Sequence, residues 1–254
     1  MILISYYLVL VFTHLQISDL ITFLFKGLPR KNYDFLVLVL FITLLIFFYT
    51  ILISNILKMK KKKNITSFLL ISSVFVILSF NYLITINVEV VHFVQYGFFA
   101  FLLFPLIRNY AYTIIVSFLC GMMDEAYQYF ILTRSRPNYY DFNDVCINII
   151  GAGIGLLLIK SLEPEYHPFS WKSFLRSKLF TLIVVISSLI IFLFISGLMT
   201  VYPNETAKFV LAEQDIRGFF TRFPPGIVIH VIKPMEGILI SVGIIALYSF
   251  LEKD

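Results

Sequence analysis

Residues 35–57 read FLVLVLFITLLIFFYTILISNIL, a run with no place on the surface of a soluble domain. Between Asp34 and Lys58 lie 23 residues without a single charge. A helix rises 1.5 Å per residue and needs about 20 apolar residues to cross the ~30 Å hydrocarbon core of a bilayer. The run lacks both the period of two expected of a half-buried strand and the polar stripe of a surface helix. It reads as a helix apolar on every side, with its backbone polar groups satisfied internally, which is what lipid demands.

The pattern recurs in both directions along the chain. Spans are predicted near 2–25, 34–57, 65–86, 88–107, 110–132, 144–160, 178–202 and 227–251. The expected fold is an all-α integral membrane protein, a polytopic bundle of about eight transmembrane helices. Composition agrees: 59% of residues are hydrophobic and 14% charged, against roughly 25% charged in a soluble domain. His14, Gln16 and Asp19 interrupt the first span, and no basic segment precedes it, so it reads as a retained helix and not a signal peptide. The sixth span is short and carries Gly151, Gly153 and Gly155, which suits close helix contact.

The chain divides into N-terminal helices with a basic loop (1–64), a four-helix core (65–160) and a C-terminal part (161–254). That last part holds a loop, two more spans and an external interfacial segment. Within that segment, Lys208–Phe223 is predicted to form a short amphipathic helix that rests Phe209, Phe219, Phe220 and Phe223 on the interface. Most prolines mark span ends; Pro234 is expected to kink the start of the last span.

The net charge of +5 comes from basic residues set between apolar blocks, where they orient spans, so nucleic acid is not an expected partner. The densest cluster is Lys58 with Lys60–Lys63. Taken as cytoplasmic, it places eleven Lys and Arg inside and nine outside, with both termini inside and the loops at 86–88, 133–143 and 203–226 outside. Cys120 and Cys146 lie in apolar blocks and read as small buried hydrophobes.

Ionisable groups gather at three span ends. Glu89, His92 and Tyr96 share one face of the fourth span by i, i+3, i+7 spacing. Asp124, Glu125 and Gln128 close the fifth, and Asp144 and Asn148 open the sixth at i, i+4. Arg134, Arg136 and Asp141 lie between these two spans. The start of the fourth span, the end of the fifth and the start of the sixth must lie on one side of the bilayer, whichever way the chain is oriented. Loop charges make that side external. Each charge buried in lipid costs roughly 2.5–3.5 kcal/mol, so such a group persists only when paired or facing a wet cavity. Arg136 is the expected bidentate partner of a carboxylate.

These residues resemble the motifs of the VanZ-like membrane proteins. Glu89-Val-Val-His92-Phe93-Val-Gln-Tyr96-Gly97 resembles the first motif, and Gly121-Met-Met-Asp124-Glu125-Ala-Tyr-Gln128 the second. Asp141-Phe142-Asn143-Asp144, followed by Asn148, Gly151 and Gly155, is similar to the third. The resemblance covers residues 65–160; many relatives carry a lysine beside the histidine, where this chain has Val90 and Val91. It implies a bacterial cell-envelope role associated with tolerance of the glycopeptide teicoplanin, and implies no particular reaction.

The site residues expected to act chemically are Glu89, His92, Tyr96, Asp124, Glu125, Gln128, Asp144 and Asn148, with Arg136 and Asp141 binding substrate. His92 suits a general base oriented by Glu89 or Asp124, and Glu125 suits an acid. The set fits recognition or chemistry on the headgroup of a lipid-linked or cell-wall precursor. It equally fits a non-catalytic binding or assembly factor, or a proton-coupled transporter, and the spacing does not choose among them. Glu89-x-x-His92 has the spacing found in di-iron bundles, but only one copy is present, so neither metal nor cofactor is expected. His230, Lys233 and Glu236 fall on the same side, as an interfacial turn or as a cap over the cluster. Membrane lipids are the expected partners, and nothing in the pattern fixes an oligomeric state.

Overall fold

The computed structural model describes residues 2–11, 23, 30–59, 63–84, 87–132, 139–162, 165–213, 216, 218–223 and 227–252. Its helices are α1 (Ile2–Val11), α2 (Arg30–Lys58), α3 (Lys63–Tyr82), α4 (Val91–Ile107), α5 (Tyr110–Tyr127), α6 (Phe142–Ser161), α7 (Trp171–Leu175), α8 (Lys178–Ile195) and α9 (Pro234–Ser249). A 3₁₀ turn, Asn87–Val90, leads into α4, and a π-helical turn, Gln128–Leu132, closes α5. Among the described residues, four helices are long and apolar enough to cross a membrane: Phe35–Lys58 of α2, then α3, α6 and α8. The apolar helices α1, α4 and α9 are shorter.

The glycine-rich helix α6 is the axis of the bundle. Nearly all of its residues are buried, against α4 most extensively and then α5, α3 and α9. Glycine explains how α6 and α4 come so close. A Cβ added at Gly151 would lie 2.6 Å from the Phe93 carbonyl oxygen, and one at Gly155 would fall on the Gly97 carbonyl. Small residues at i, i+4 let helix backbones touch where lipid supplies no hydrophobic drive for association. At Gly153 the neighbour is the Tyr248 ring of α9, whose hydroxyl meets Ser72 of α3 at 2.5 Å.

The outer helices are tethered by side-chain hydrogen bonds. Tyr6 and Tyr7 of α1 donate to the Gln95 carbonyl at 2.9 Å and the Cys120 carbonyl at 3.0 Å. Tyr49 of α2 meets Ser73 of α3 at 2.6 Å. Helix α8 stands apart, with none of its residues buried, as a lipid-facing span would be. The reversal between α4 and α5 takes two residues. Arg108 ends α4 in the left-handed conformation (φ 53°), and the Asn109 side chain caps α5 by accepting from the Tyr112 N–H at 2.9 Å.

Three expectations need correction. The segment expected to form an interfacial helix at Lys208–Phe223 contains no helix among its described residues. Instead β1 (Met199–Thr200) pairs in parallel with β2 (Phe209–Val210), and β3 (Thr221–Phe223) pairs antiparallel with β4 (Ile227–Ile229). Pro224-Pro225-Gly226 between β3 and β4 is a turn sequence, and β-branched Thr221, Ile227, Val228 and Ile229 favour strands. The last span does not start at 227: β4 and a linker precede α9. Nor does Pro234 kink the helix. It occupies the first turn, where its missing N–H is no loss, and Glu236 accepts from the Lys233 N–H at 3.0 Å.

The glycine contact makes a direct prediction. Gly151→Val forces α4 away from α6, and overpacking of this kind costs about 1–3 kcal/mol. Thermal unfolding of the detergent-solubilised variant should start at a clearly lower temperature than that of wild type; an unchanged transition would show that the two backbones are not in contact.

Candidate functional site

Three helix ends converge where α4 and α6 touch. His92 sits in the first turn of α4 and is only 2% exposed. Its Nδ1 lies 2.9 Å from Asn148 Oδ1 and its Nε2 3.5 Å from Asp144 Oδ2. One imidazole thus spans the i, i+4 pair of α6. The amide oxygen can only accept, so the hydrogen-bond network assigns the Nδ1 proton to the Asn148 side. Nε2, facing Asp144, is then the nitrogen free to gain or lose a proton.

Behind the histidine, Tyr96 donates to Asp124 Oδ2 at 3.3 Å, and Gln128 Nε2 donates to Glu125 Oε1 at 3.4 Å. Asp124 and Glu125 are buried in the last turns of α5, just before the π-helical turn. Such turns re-aim side chains and recur at functional sites. Glu125 lies in the field of Asp144, Asp124, Asp141 and Glu89, so the described part of the site is rich in carboxylates. Of the six buried side-chain polar atoms without a hydrogen-bond partner among the described residues, two belong to this cluster: Asp124 Oδ1, an acceptor, and Asn148 Nδ2, a donor. The Asn148 amide and the Tyr96 ring both lie against Gly121, one turn before Asp124.

Asp141 caps α6, accepting from the Asn143 N–H at 2.9 Å and the Asp144 N–H at 3.4 Å. Burial, and then the neighbouring Asp144 carboxylate, push the Asp141 carboxyl up to about 8 despite those two bonds. Burial, Asp141, Asp144 and Glu89 likewise hold the Tyr139 phenol above its usual range, and it hydrogen-bonds Asp141.

A roof covers this end of the bundle. Tyr140 donates its N–H to the Leu211 carbonyl at 2.7 Å and its hydroxyl to the Met122 carbonyl at 2.8 Å, and Tyr139 bridges to Ala212. Tyr129 donates to the Val210 carbonyl at 2.9 Å. Asn143 fastens three segments at once. Its Nδ2 donates to the Leu83 carbonyl at 3.0 Å and the His230 carbonyl at 2.9 Å, and its Oδ1 accepts from the Ile232 N–H at 2.8 Å. His230 contacts Glu236 at 3.5 Å and the Phe219 carbonyl at 2.6 Å, which makes it part of the roof.

The structure therefore brings together His92, Tyr96, Asp124, Glu125, Gln128, Asp144 and Asn148, with Asp141 at the rim and Glu89 in the preceding 3₁₀ turn. Arg134, Arg136, His14, Gln16 and Asp19 lie outside the described residues. Sequence reasoning missed Tyr139, Tyr140 and Asn143 as site-building residues. Among the described residues no group of three or more His, Cys, Asp or Glu side chains is placed to hold a metal ion.

Compared with known protein families, residues 34–163, just over half of the chain, match the family model VanZ/LLP1. The match takes in most of α2 and all of α3 to α6, including every residue of the cluster. No curated protein and no solved structure matches the chain.

Two outcomes test this geometry. Asn143→Ala leaves the buried Ile232 N–H without its acceptor, at a cost of about 1–3 kcal/mol, and loosens the roof. Protease should then cut the 199–230 segment faster than in wild type, whereas equal cutting would contradict the clamp. For Asp141, the folded-state value lies above the unfolded one, so its contribution to stability is complete below about pH 4 and is lost as pH rises through about 8. Asp141→Asn keeps the cap but removes the titration. The melting temperature of wild type should fall relative to that of this variant between those pH values; parallel profiles would argue against the shift.

Proposed function

Because the chain belongs to the VanZ/LLP1 family, we propose that it is a multi-pass protein of the bacterial cell membrane that binds or modifies the polar headgroup of an envelope molecule, and so contributes to glycopeptide tolerance. The observation that carries this reading is the His92–Asn148–Asp144 bridge, backed by Tyr96 and Asp124, with a buried donor and a buried acceptor left over. Burying a polar atom without a partner costs about 1–3 kcal/mol. Two such atoms in one cluster with a histidine and several carboxylates support the reading of a polar-ligand site. The remaining acceptor on Asp124 and the donor on Asn148 suit a hydroxyl or amide, groups abundant on sugar and peptide headgroups.

His92 is the proton-exchanging residue of this site, with Asn148 and Asp144 setting its tautomer and orientation. Asp141, at the rim, is assigned to ligand contact, and Arg136 is assigned the same role from its place in the sequence. Loop charges put the site at the outer surface, with both termini cytoplasmic and a full complement of about eight spans.

The test is genetic and analytical together. His92→Ala, Glu125→Gln and Asn148→Ala, expressed at wild-type levels, should each raise teicoplanin susceptibility to that of a strain lacking the protein, with a matching change in envelope composition. Wild-type tolerance in all three variants would refute the proposal.

A further inference from the structure

The opposite end of the bundle, about 24 Å from His92 along α4 at the helical rise, carries a second constellation. Arg108 closes α4 in the left-handed conformation (φ 53°), a position that favours glycine. Its backbone is held from both sides. The Arg108 N–H donates to the Phe104 carbonyl at 2.6 Å, and the Arg108 carbonyl accepts from the His167 N–H at 2.6 Å. Asn109 Nδ2 donates to the His167 carbonyl at 2.7 Å. Between Arg108, Glu165, Tyr166 and His167 lies a cleft of about 400 Å³. Glu165 reaches Arg108 at 4.0 Å, but both side chains are exposed, and a surface pair of that kind holds weakly.

The segment that forms one wall of the cleft runs on into α7, and both are fixed to the same α4–α5 turn. Phe169 and Phe174 pack on Tyr112, in the first turn of α5, with ring centroids 6.1 and 5.8 Å away. Phe174 also meets Phe180 of α8 at 5.5 Å. That packing buries Phe174 and leaves its neighbours facing outward. Trp171 and Leu175, at i, i+4, are 69% and 54% exposed, and Lys172 and Arg176, also at i, i+4, are exposed beside them. Two residues after Arg176 begins α8, which is apolar and has no buried residue. Helix α7 therefore sits where a lipid-facing span enters the bilayer, the depth at which tryptophan and basic side chains collect. Residues 165–178 hold three cations, Lys172, Arg176 and Lys178, against one carboxylate, Glu165, and Arg108 adds a fourth.

We propose that Arg108, Lys172 and Arg176, with Trp171 as anchor, form a binding site for the headgroup of an anionic phospholipid. The proposal is independent of the ligand reading at the His92 end. A phosphodiester complements this excess of positive charge, and one guanidinium can hold two of its oxygens at once. The lipid's glycerol and upper acyl chains then lie beside Trp171 and Leu175, whose exposure level with the start of α8 favours a lipid over a soluble protein as occupant. Arg108 fits the role, because a backbone position that suits glycine here keeps a long cationic side chain at the cleft. With the His92 cluster at the outer surface, as proposed above, this end meets the inner leaflet, whose surface potential is negative because anionic lipids gather there.

Trp171 is the chain's single tryptophan, so its fluorescence reads this site alone. The test places the full-length protein in phosphatidylcholine vesicles that contain a minor fraction of either phosphatidylglycerol or phosphatidylcholine brominated near the top of the acyl chains. Brominated phosphatidylglycerol should reach half-maximal quenching at about fivefold lower mole fraction, a preference equal to about 1 kcal/mol. In the triple variant Arg108→Gln, Lys172→Gln, Arg176→Gln the two lipids should quench equally, with the emission maximum and the melting temperature kept. The double variant Lys172→Gln, Arg176→Gln changes only exposed side chains of α7 and its cap, and should lose most of the preference even where the Arg108 substitution prevents folding. Equal quenching by the two lipids in wild type overturns the proposal, as does a preference undiminished in the double variant. So does Trp171 emission typical of indole in water with quenching by neither lipid. Inorganic phosphate added at constant ionic strength should leave the preference in place; its loss would show a site for the free anion and not for a lipid.

Discussion

Helices α4 and α6 lie backbone to backbone, and the rest of the molecule is arranged around that contact. In lipid, the tails are as apolar as the side chains, so helices gain little by hiding leucine from their surroundings. What holds them is close packing and polar contact across the interface. Gly97, Gly151 and Gly155 supply the first, because any Cβ on the α6 side would strike an α4 carbonyl. That proximity supplies the second, by carrying His92 to within 2.9 Å of Asn148. A wider α4–α6 gap would part the His92 imidazole from the Asn148 amide and the Asp144 carboxylate inside an apolar bundle.

The same contact explains how the polar residues are accommodated. Most of the cluster is satisfied pairwise: His92 with Asn148 and Asp144, Tyr96 with Asp124, Gln128 with Glu125. The roof extends this accounting to the backbone, where Asn143 serves two carbonyls and one N–H from distant segments. Among the described residues, Asp124 Oδ1 and Asn148 Nδ2 are the cluster's own buried atoms left outside that pairing.

Much of the core was legible in the sequence because its signals are local. The charge-free run before Lys58 can only be a long apolar helix, and the spacing of Glu89, His92 and Tyr96, or of Asp144 and Asn148, fixes a face without any structure. Parity of spans then puts those faces on one side. The roof was not legible for the opposite reason. Strands of two or three residues are too short to show a period, and their register is set by bonds to Tyr129 and Tyr140, far away in sequence. Of the phenylalanines in 208–223, Phe209 meets Phe130 and Phe219 stacks on His230, while Phe209, Phe219 and Phe220 all remain exposed. Asn143 acts on backbone atoms 60 and 87 residues away, which no pattern around it reveals.

The most direct measurement is a double-mutant cycle between His92 and Asn148, read as unfolding free energy of the solubilised protein. If α4 and α6 meet as described, the two alanine substitutions share one lost interaction and their effects fall short of additive by about 0.5–3 kcal/mol. Effects that add to within about 0.3–0.5 kcal/mol would mean that the residues do not touch, and that the glycine contact does not bring them together.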